Sequence, residues 1–274
     1  MALTTIGLMA LLGCFTGFMA GLLGIGGGMI ITPFLIMLIP SSLIPHEHIV
    51  HVAIATSLAT IAFTSLSSVR AHHKRGAVLW NVVASVAPGI LVGAVVGAQI
   101  AGWLPTFWLS LIFAAFVGFS AFKMFLNKSP RPDRNLPGTM GKFFMGIAIG
   151  ILSALVGAGG GFISVPWMVW CNVKMQNAVA TSAAFGFPIA LFGTIGYIIS
   201  GWNVSGLPLW PIDLGYICIP ALFSVAITSV LFAPLGAKVA HSIDTKPLKK
   251  IFACLLCFVC LYTVSYTHLR AHET

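Results

Sequence analysis

No lysine or arginine occurs before Arg70, and up to that point Glu47 is the one charged side chain. A chain that opens with so long an uncharged, strongly apolar stretch cannot build a wetted surface. Over all 274 residues 58% are hydrophobic and 7% charged, against about 25% charged in a soluble domain. Uncharged runs near or above ~18 residues recur and read as transmembrane helices. Backbone groups in hydrocarbon must be satisfied internally, which leaves helices or a closed barrel. Barrel strands alternate apolar and polar residues, and these runs do not. The fold class is an all-α polytopic membrane protein with the lipid bilayer as its first partner. The net charge of +9 sits in short loops between apolar runs, the positive-inside pattern, and argues against nucleic acid as a partner.

Within the apolar sequence lie two matching interruptions. GLLGIGGGMIITP (Gly21 to Pro33) and ALVGAGGGFISVP (Ala154 to Pro166) align without gaps at an offset of 133. They share Gly24/Gly157, Gly26/Gly159, Gly27/Gly160, Gly28/Gly161, Ile30/Ile163 and Pro33/Pro166. Ala55-Thr56-Ser57 recurs as Ala180-Thr181-Ser182 at an offset of 125, and Gly97-Ala98 as Gly236-Ala237 at 139. Changes in loop length separate the copies, so the chain is a tandem repeat. Residues 1–127 form a first transmembrane repeat, 128–142 a cytoplasmic linker and 143–264 a second repeat. The linker carries Lys128, Arg131, Arg134, Lys142 and three prolines.

Each repeat holds about five transmembrane or re-entrant segments: 3–24, 29–39, 49–69, 78–101 and 106–126, then 143–157, 162–171, 176–199, 214–235 and 251–265. Trp103 and Trp108 are placed as interfacial anchors. Placing the basic loops after the third, fifth and ninth segments in the cytoplasm makes the two repeats inverted, with the first glycine break toward the inner face and the second toward the outer. Segments 29–39 and 162–171 have about half the ~20 residues of a full span, so spanning and re-entry both stay open. Residues 265–274 turn abruptly polar, resemble read-through of a sequencing adapter and are set aside from the fold.

The spans contain no carboxylate, which removes the usual proton relay and any Asp/Glu cation site. Neither metal ligands nor a cofactor signature is present, and no catalytic residue is assigned. Cys254, Cys257 and Cys260 recur within one apolar helix and read as packing. What remains is backbone and small hydroxyls. A helix that restarts after Gly28 or Gly161 exposes free N–H groups and the positive end of its dipole. Glycine lets an anion approach the backbone closely. The expected substrate site therefore comprises Gly26, Gly27, Gly28, Thr56 and Ser57 with Gly159, Gly160, Gly161, Thr181 and Ser182. Glycine-rich runs also serve close helix packing, but short interrupted segments at corresponding places in two halves point to a transporter site. His51, whose repeat counterpart is Gln176, is a candidate for proton coupling or a histidine that merely hydrogen-bonds. His72 and His73 are assigned to the basic loop.

The glycine motifs, with HVAIATSLATIAFTSLSS, QNAVATSAAFGFPIALFGTIGYIISG and the basic loop RAHHKRGAV, resemble the TauE/SafE (sulfite exporter, TSUP) family of bacterial permeases. The resemblance covers residues 3–264. It implies a multi-pass permease of the bacterial inner membrane that moves sulfite, an organosulfonate or another small sulfur-containing or organic anion. Two rivals come from other classes: a membrane thiol-redox protein and a scaffold subunit without transport. Substrate, direction, coupling ion and any homo-oligomer stay open.

Overall fold

The structure, a computed structural model, describes residues 3–24, 27–39, 44–126, 135–202, 204 and 214–242. Gly26, the tenth segment with its three cysteines and the C-terminal tail lie outside the described residues. Those described form helices and no strand: α1 (Leu3–Leu23), α2 (Gly28–Leu38), α3 (Ile49–His73), α4 (Trp80–Trp103), α5 (Thr106–Leu126), α6 (Thr139–Val156), α7 (Gly161–Trp170), α8 (Met175–Gly201) and α9 (Ile219–Ala240). A single 3₁₀ turn, His46–His48, leads into α3. Six helices (α1, α3, α4, α6, α8 and α9) are long and apolar enough to cross a membrane. α2 and α7 are short, with 11 and 10 residues.

Two helix ends differ from expectation for clear reasons. α3 runs to His73 rather than stopping at 69, because Arg70, His72 and His73 occupy its last turn, where cationic and polar side chains suit the negative end of the dipole. α9 begins at Ile219 rather than 214. Pro220 fits the first turn of a helix, and Leu214 to Cys218 form a turn through Gly215 at φ 61°.

α3 and α8 cross at the centre. α3 is the more deeply enclosed: most of its residues from Ile49 to Ile61 are buried. Around this pair the halves exchange partners, with α1 packed on α9 and α4 packed on α6. Small residues make both contacts possible. On α1, Gly13, Gly17 and Gly21 meet the backbone of Val225, Ser229 and Ala233 so closely that an added Cβ would overlap it. On α4, Gly89, Gly93 and Gly97 meet Phe143, Ile147 and Ile151 in the same way. Glycine every fourth residue lets helix backbones approach where no hydrophobic force drives them together. The outward faces keep large apolar side chains exposed, among them Leu11, Phe63, Trp103, Trp108, Ile199 and Leu231, as a lipid-facing surface requires.

Candidate functional site

At both glycine motifs one helix ends and another begins. α1 ends where Gly24, at φ 66°, turns its N–H back onto Ala20 O at 3.0 Å. α2 then starts after Gly27, at φ 74° and ψ −13°. In the second copy Gly157 has φ 67° and Gly160 has φ 75° and ψ −8°. These are left-handed conformations that cost an L-residue roughly 1–2 kcal/mol. The helical ladder begins with Ile30 N–H and Ile163 N–H, which donate to Gly27 O and Gly160 O at 3.1 Å each. The N–H groups of Gly28, Met29, Gly161 and Phe162 precede that ladder. α1–α2 and α6–α7 are therefore two broken helix pairs whose breaks meet. Gly28 packs against Gly157 O and Ala158 so tightly that a side chain would not fit.

The paired Thr-Ser residues stitch these breaks together reciprocally. Ser57 Oγ, on α3, donates to Gly157 O at 3.0 Å and lies 3.4 Å from Gly28 O. Ser182 Oγ, on α8, donates to Gly24 O at 2.9 Å. Each serine thus holds the break of the other half. Ser164 of α7 adds its hydroxyl to the second network, 2.7 Å from Ser182 Oγ. The threonines follow the same exchange. Thr56 Oγ1 accepts from Cys218 N–H at 2.9 Å, at the start of α9, and Thr181 Oγ1 accepts from Leu79 N–H at 3.0 Å, at the start of α4. All four side chains are completely buried. Each is engaged with protein, as a donor to a carbonyl or as an acceptor from the backbone N–H just before a helix of the opposite half.

Of the expected site, Gly27, Gly28, Thr56, Ser57, Gly159, Gly160, Gly161, Thr181 and Ser182 are therefore drawn to one central region. Two hydroxyls that the sequence did not single out face the same place. Thr32 Oγ1 and Ser153 Oγ are fully buried and have no hydrogen-bond partner. They lie against Gly157 and Gly160, respectively. Their position inside or just before the glycine motifs was the available signal.

His51 stands apart from the breaks. Its Nε2–H donates to Ala101 O and Leu104 O, at 3.0 and 3.1 Å, capping the C-terminal end of α4. The ring stacks on Tyr216 with centroids 5.2 Å apart. Thr106, whose Oγ1 lies 3.5 Å from His51 Nδ1, also bonds Glu47 O. His72 departs from its assignment to the basic loop. It is fully buried in the last turn of α3, with Nε2 donating to Gly21 O at 3.0 Å and Nδ1 3.1 Å from His241 Nε2. His73 does stay near the loop, where Trp80 Nε1–H donates to its Nδ1 at 3.1 Å. No cluster of three or more metal-ligating side chains occurs among the described residues.

Known proteins resemble this chain throughout its length. A probable membrane transporter protein of Haemophilus influenzae is 35% identical over 94% of the chain and 97% of its own length. A probable membrane transporter protein of Bacillus subtilis, YdhB, is 29% identical over 74% of the chain and 82% of its own length. Another, from Methanocaldococcus jannaschii, is 27% identical over 91% of each. No solved structure matches the chain. The family model described as sulfite exporter TauE/SafE matches residues 9–263. With its helix composition, apolar spans and relatives all of one kind, the chain belongs to the TauE/SafE family of membrane transporters.

Proposed function

We propose that this chain is a secondary transporter of a small anion, sulfite or another sulfur-containing or organosulfonate anion, in the bacterial inner membrane. Two inverted halves would expose the central site to one side of the membrane and then the other. The observation that carries this reading is the reciprocal pairing of Ser57 with Gly157 and of Ser182 with Gly24. Each half holds the break of the other through one hydroxyl and one carbonyl, a bond that a small oxyanion can replace. When the breaks part, the N–H groups of Gly28, Met29, Gly161 and Phe162 become donors to that anion, with the helix dipoles behind them. The hydroxyls of Thr56, Ser57, Thr181, Ser182, Thr32 and Ser153 complete its shell. Neutral donors of this kind bind strongly enough to replace water and weakly enough to release. The chain's role is binding and passage, and no bond of the solute is broken.

The test is counterflow in proteoliposomes that contain only this chain, with sulfite, sulfoacetate and thiosulfate compared side by side. Accumulation of a labelled anion against its unlabelled form supports the reading, and none for any of the three would sink it. Proton coupling through His51 has its own check. His51→Gln copies the Gln176 of the other half, and a pH dependence of transport that survives this exchange removes His51 from the mechanism.

A further inference from the structure

Ser65, Ser68 and His72 lie along one face of α3 at helical spacing. Ser65 and Ser68 line a cavity of about 10 Å³ with Ala20 and Gly24 of α1 and Ala183 and Gly186 of α8, enough for about one water. The Ser68 hydroxyl is buried there without a partner. One turn further along α3, at the end that carries the basic loop, His72 bonds Gly21 O and His241. The bonds fix the order of the hydrogens. Nε2 of His72 faces a carbonyl and must donate, so Nδ1 of the neutral ring accepts and His241 Nε2 carries the hydrogen between them. A relay runs from His241 through His72 to α1.

The opposite end carries the same kind of bond from a different residue. Tyr197 occupies the repeat position of His72, and Ala154 that of Gly21. Tyr197 OH donates to Ala154 O at 3.1 Å. The counterparts of the cavity lining are bulkier there: Ala183 and Gly186 are matched by Leu58 and Ile61, both fully buried. Leu58 packs onto Gly193, the counterpart of Ser68. One end of an otherwise reciprocal site is small, hydroxyl-lined and flanked by imidazoles. The other is filled with aliphatic side chains and flanked by a phenol that does not ionise near neutral pH.

We propose that the His72–His241 pair is a proton-binding site that gates a hydroxyl-lined anion passage at the basic-loop end, and that it takes up its proton together with the anion. This rests on the reading of the chain as an anion transporter. Arg70, Lys74, Arg75 and Lys238 are the cationic groups at this end among the described residues, and Lys246, Lys249 and Lys250 lie outside them. The ionisable side chains of α1 and α8 are Cys14 and Tyr197 alone, and neither α3 nor α9 carries a carboxylate. The cations repel a proton and attract an anion. Burial, and then Arg75, hold the His241 imidazole below its ordinary value, which keeps the unoccupied gate neutral. An anion beside the pair offsets the cations and favours protonation, and by linkage the proton raises affinity for the anion by the same factor. The proton enters at His241 Nδ1, the nitrogen outside the relay. A second one would set two N–H groups against each other between the rings, so the pair takes one.

Histidine-labelled full-length protein in nanodiscs tests this by magnetic resonance, with thiosulfate as the probe anion. Two of the eight histidines should titrate as one coupled site, and saturating thiosulfate should raise its proton affinity about tenfold. His72→Gln keeps both bonds, with its amide donating to Gly21 O and its carbonyl accepting from His241, yet cannot titrate. In proteoliposomes His241→Asn, which removes the nitrogen that takes the proton, should lose flux driven by an imposed proton gradient, and His72→Gln, which leaves that nitrogen in place, should keep it. Gradient-driven flux that persists in His241→Asn overturns the proposal. So do two independent ring titrations that thiosulfate does not move, a result that needs no transport to be read. Failure of the wild-type protein to exchange thiosulfate or sulfite would instead count against anion transport itself.

Discussion

At Gly160 the backbone has φ 75°, and a Cβ placed there would sit 2.5 Å from Ile189 Cδ1. At Gly27 the corresponding atom would sit 2.9 Å from Thr16 O. Alanine at either position therefore combines roughly 1–2 kcal/mol of left-handed strain with a displaced neighbour. Gly27→Ala and Gly160→Ala should insert into membranes at near wild-type levels and lose about tenfold in transport rate, measured by flux per inserted molecule. Equal loss of insertion and transport would return the glycines to a packing role. At this scale the sequence was informative, because left-handed glycines and small hydroxyls are local requirements that leave local marks. It did not show what the hydroxyls would bond. Ser57 meets Gly157 across a separation of 100 positions, and no spacing rule reaches that far. Thr32 and Ser153 were passed over for the same reason, since an orphaned hydroxyl is defined by its surroundings.

Between elements the threonines matter more than their size suggests. Thr56 and Thr181 accept from the N–H of Cys218 and Leu79, just before α9 and α4, and a lost hydrogen bond of this kind costs about 1 kcal/mol. Thr56→Val should speed amide exchange at Cys218, and Thr181→Val at Leu79, with each start site loosened independently and each rescued by serine. The C-terminal end of α9 carries a pH dependence of definite sign. The folded state holds His241 below its ordinary value, so the neutral ring fits better than the charged one. The contribution is fully present above about pH 6.5 and is lost as acidification protonates the folded ring. Protection of the Ser242 N–H, which donates to Val239 O at 2.9 Å, should therefore fall on the acid side relative to its intrinsic exchange. Among the described residues, helix existence was legible from uncharged apolar length. The end of α3 was not, because Arg70 to Arg75 reads as an exposed loop by charge alone, while packing draws His72 inward and leaves its neighbours outside.

Across the whole molecule the exchange of partners governs stability. α4 finds its glycine-packed contact on α6, and α1 finds its own on α9. Neither half can bury its small-residue stripes alone. Residues 1–127 and 128–274 produced as separate chains should each be degraded or aggregate in the membrane, and co-production should yield a complex that purifies through a tag on either piece. Stable accumulation of one half by itself would contradict this. The sequence repeat predicted two similar units but not their entanglement, because offsets of 133, 125 and 139 describe likeness along the chain and are silent on which copy touches which.

That entanglement also orders synthesis. Gly89, Gly93 and Gly97 leave the ribosome well before Gly146 and Gly150, which belong against them. For that interval a notched helix faces lipid with no match, and α1 waits longer still for the helix that ends at Ala240. A nascent chain of this design gains from an insertase that shields its early helices until the later ones arrive. A pause in translation between residues 126 and 139 should be more damaging here than a pause of equal length near either end.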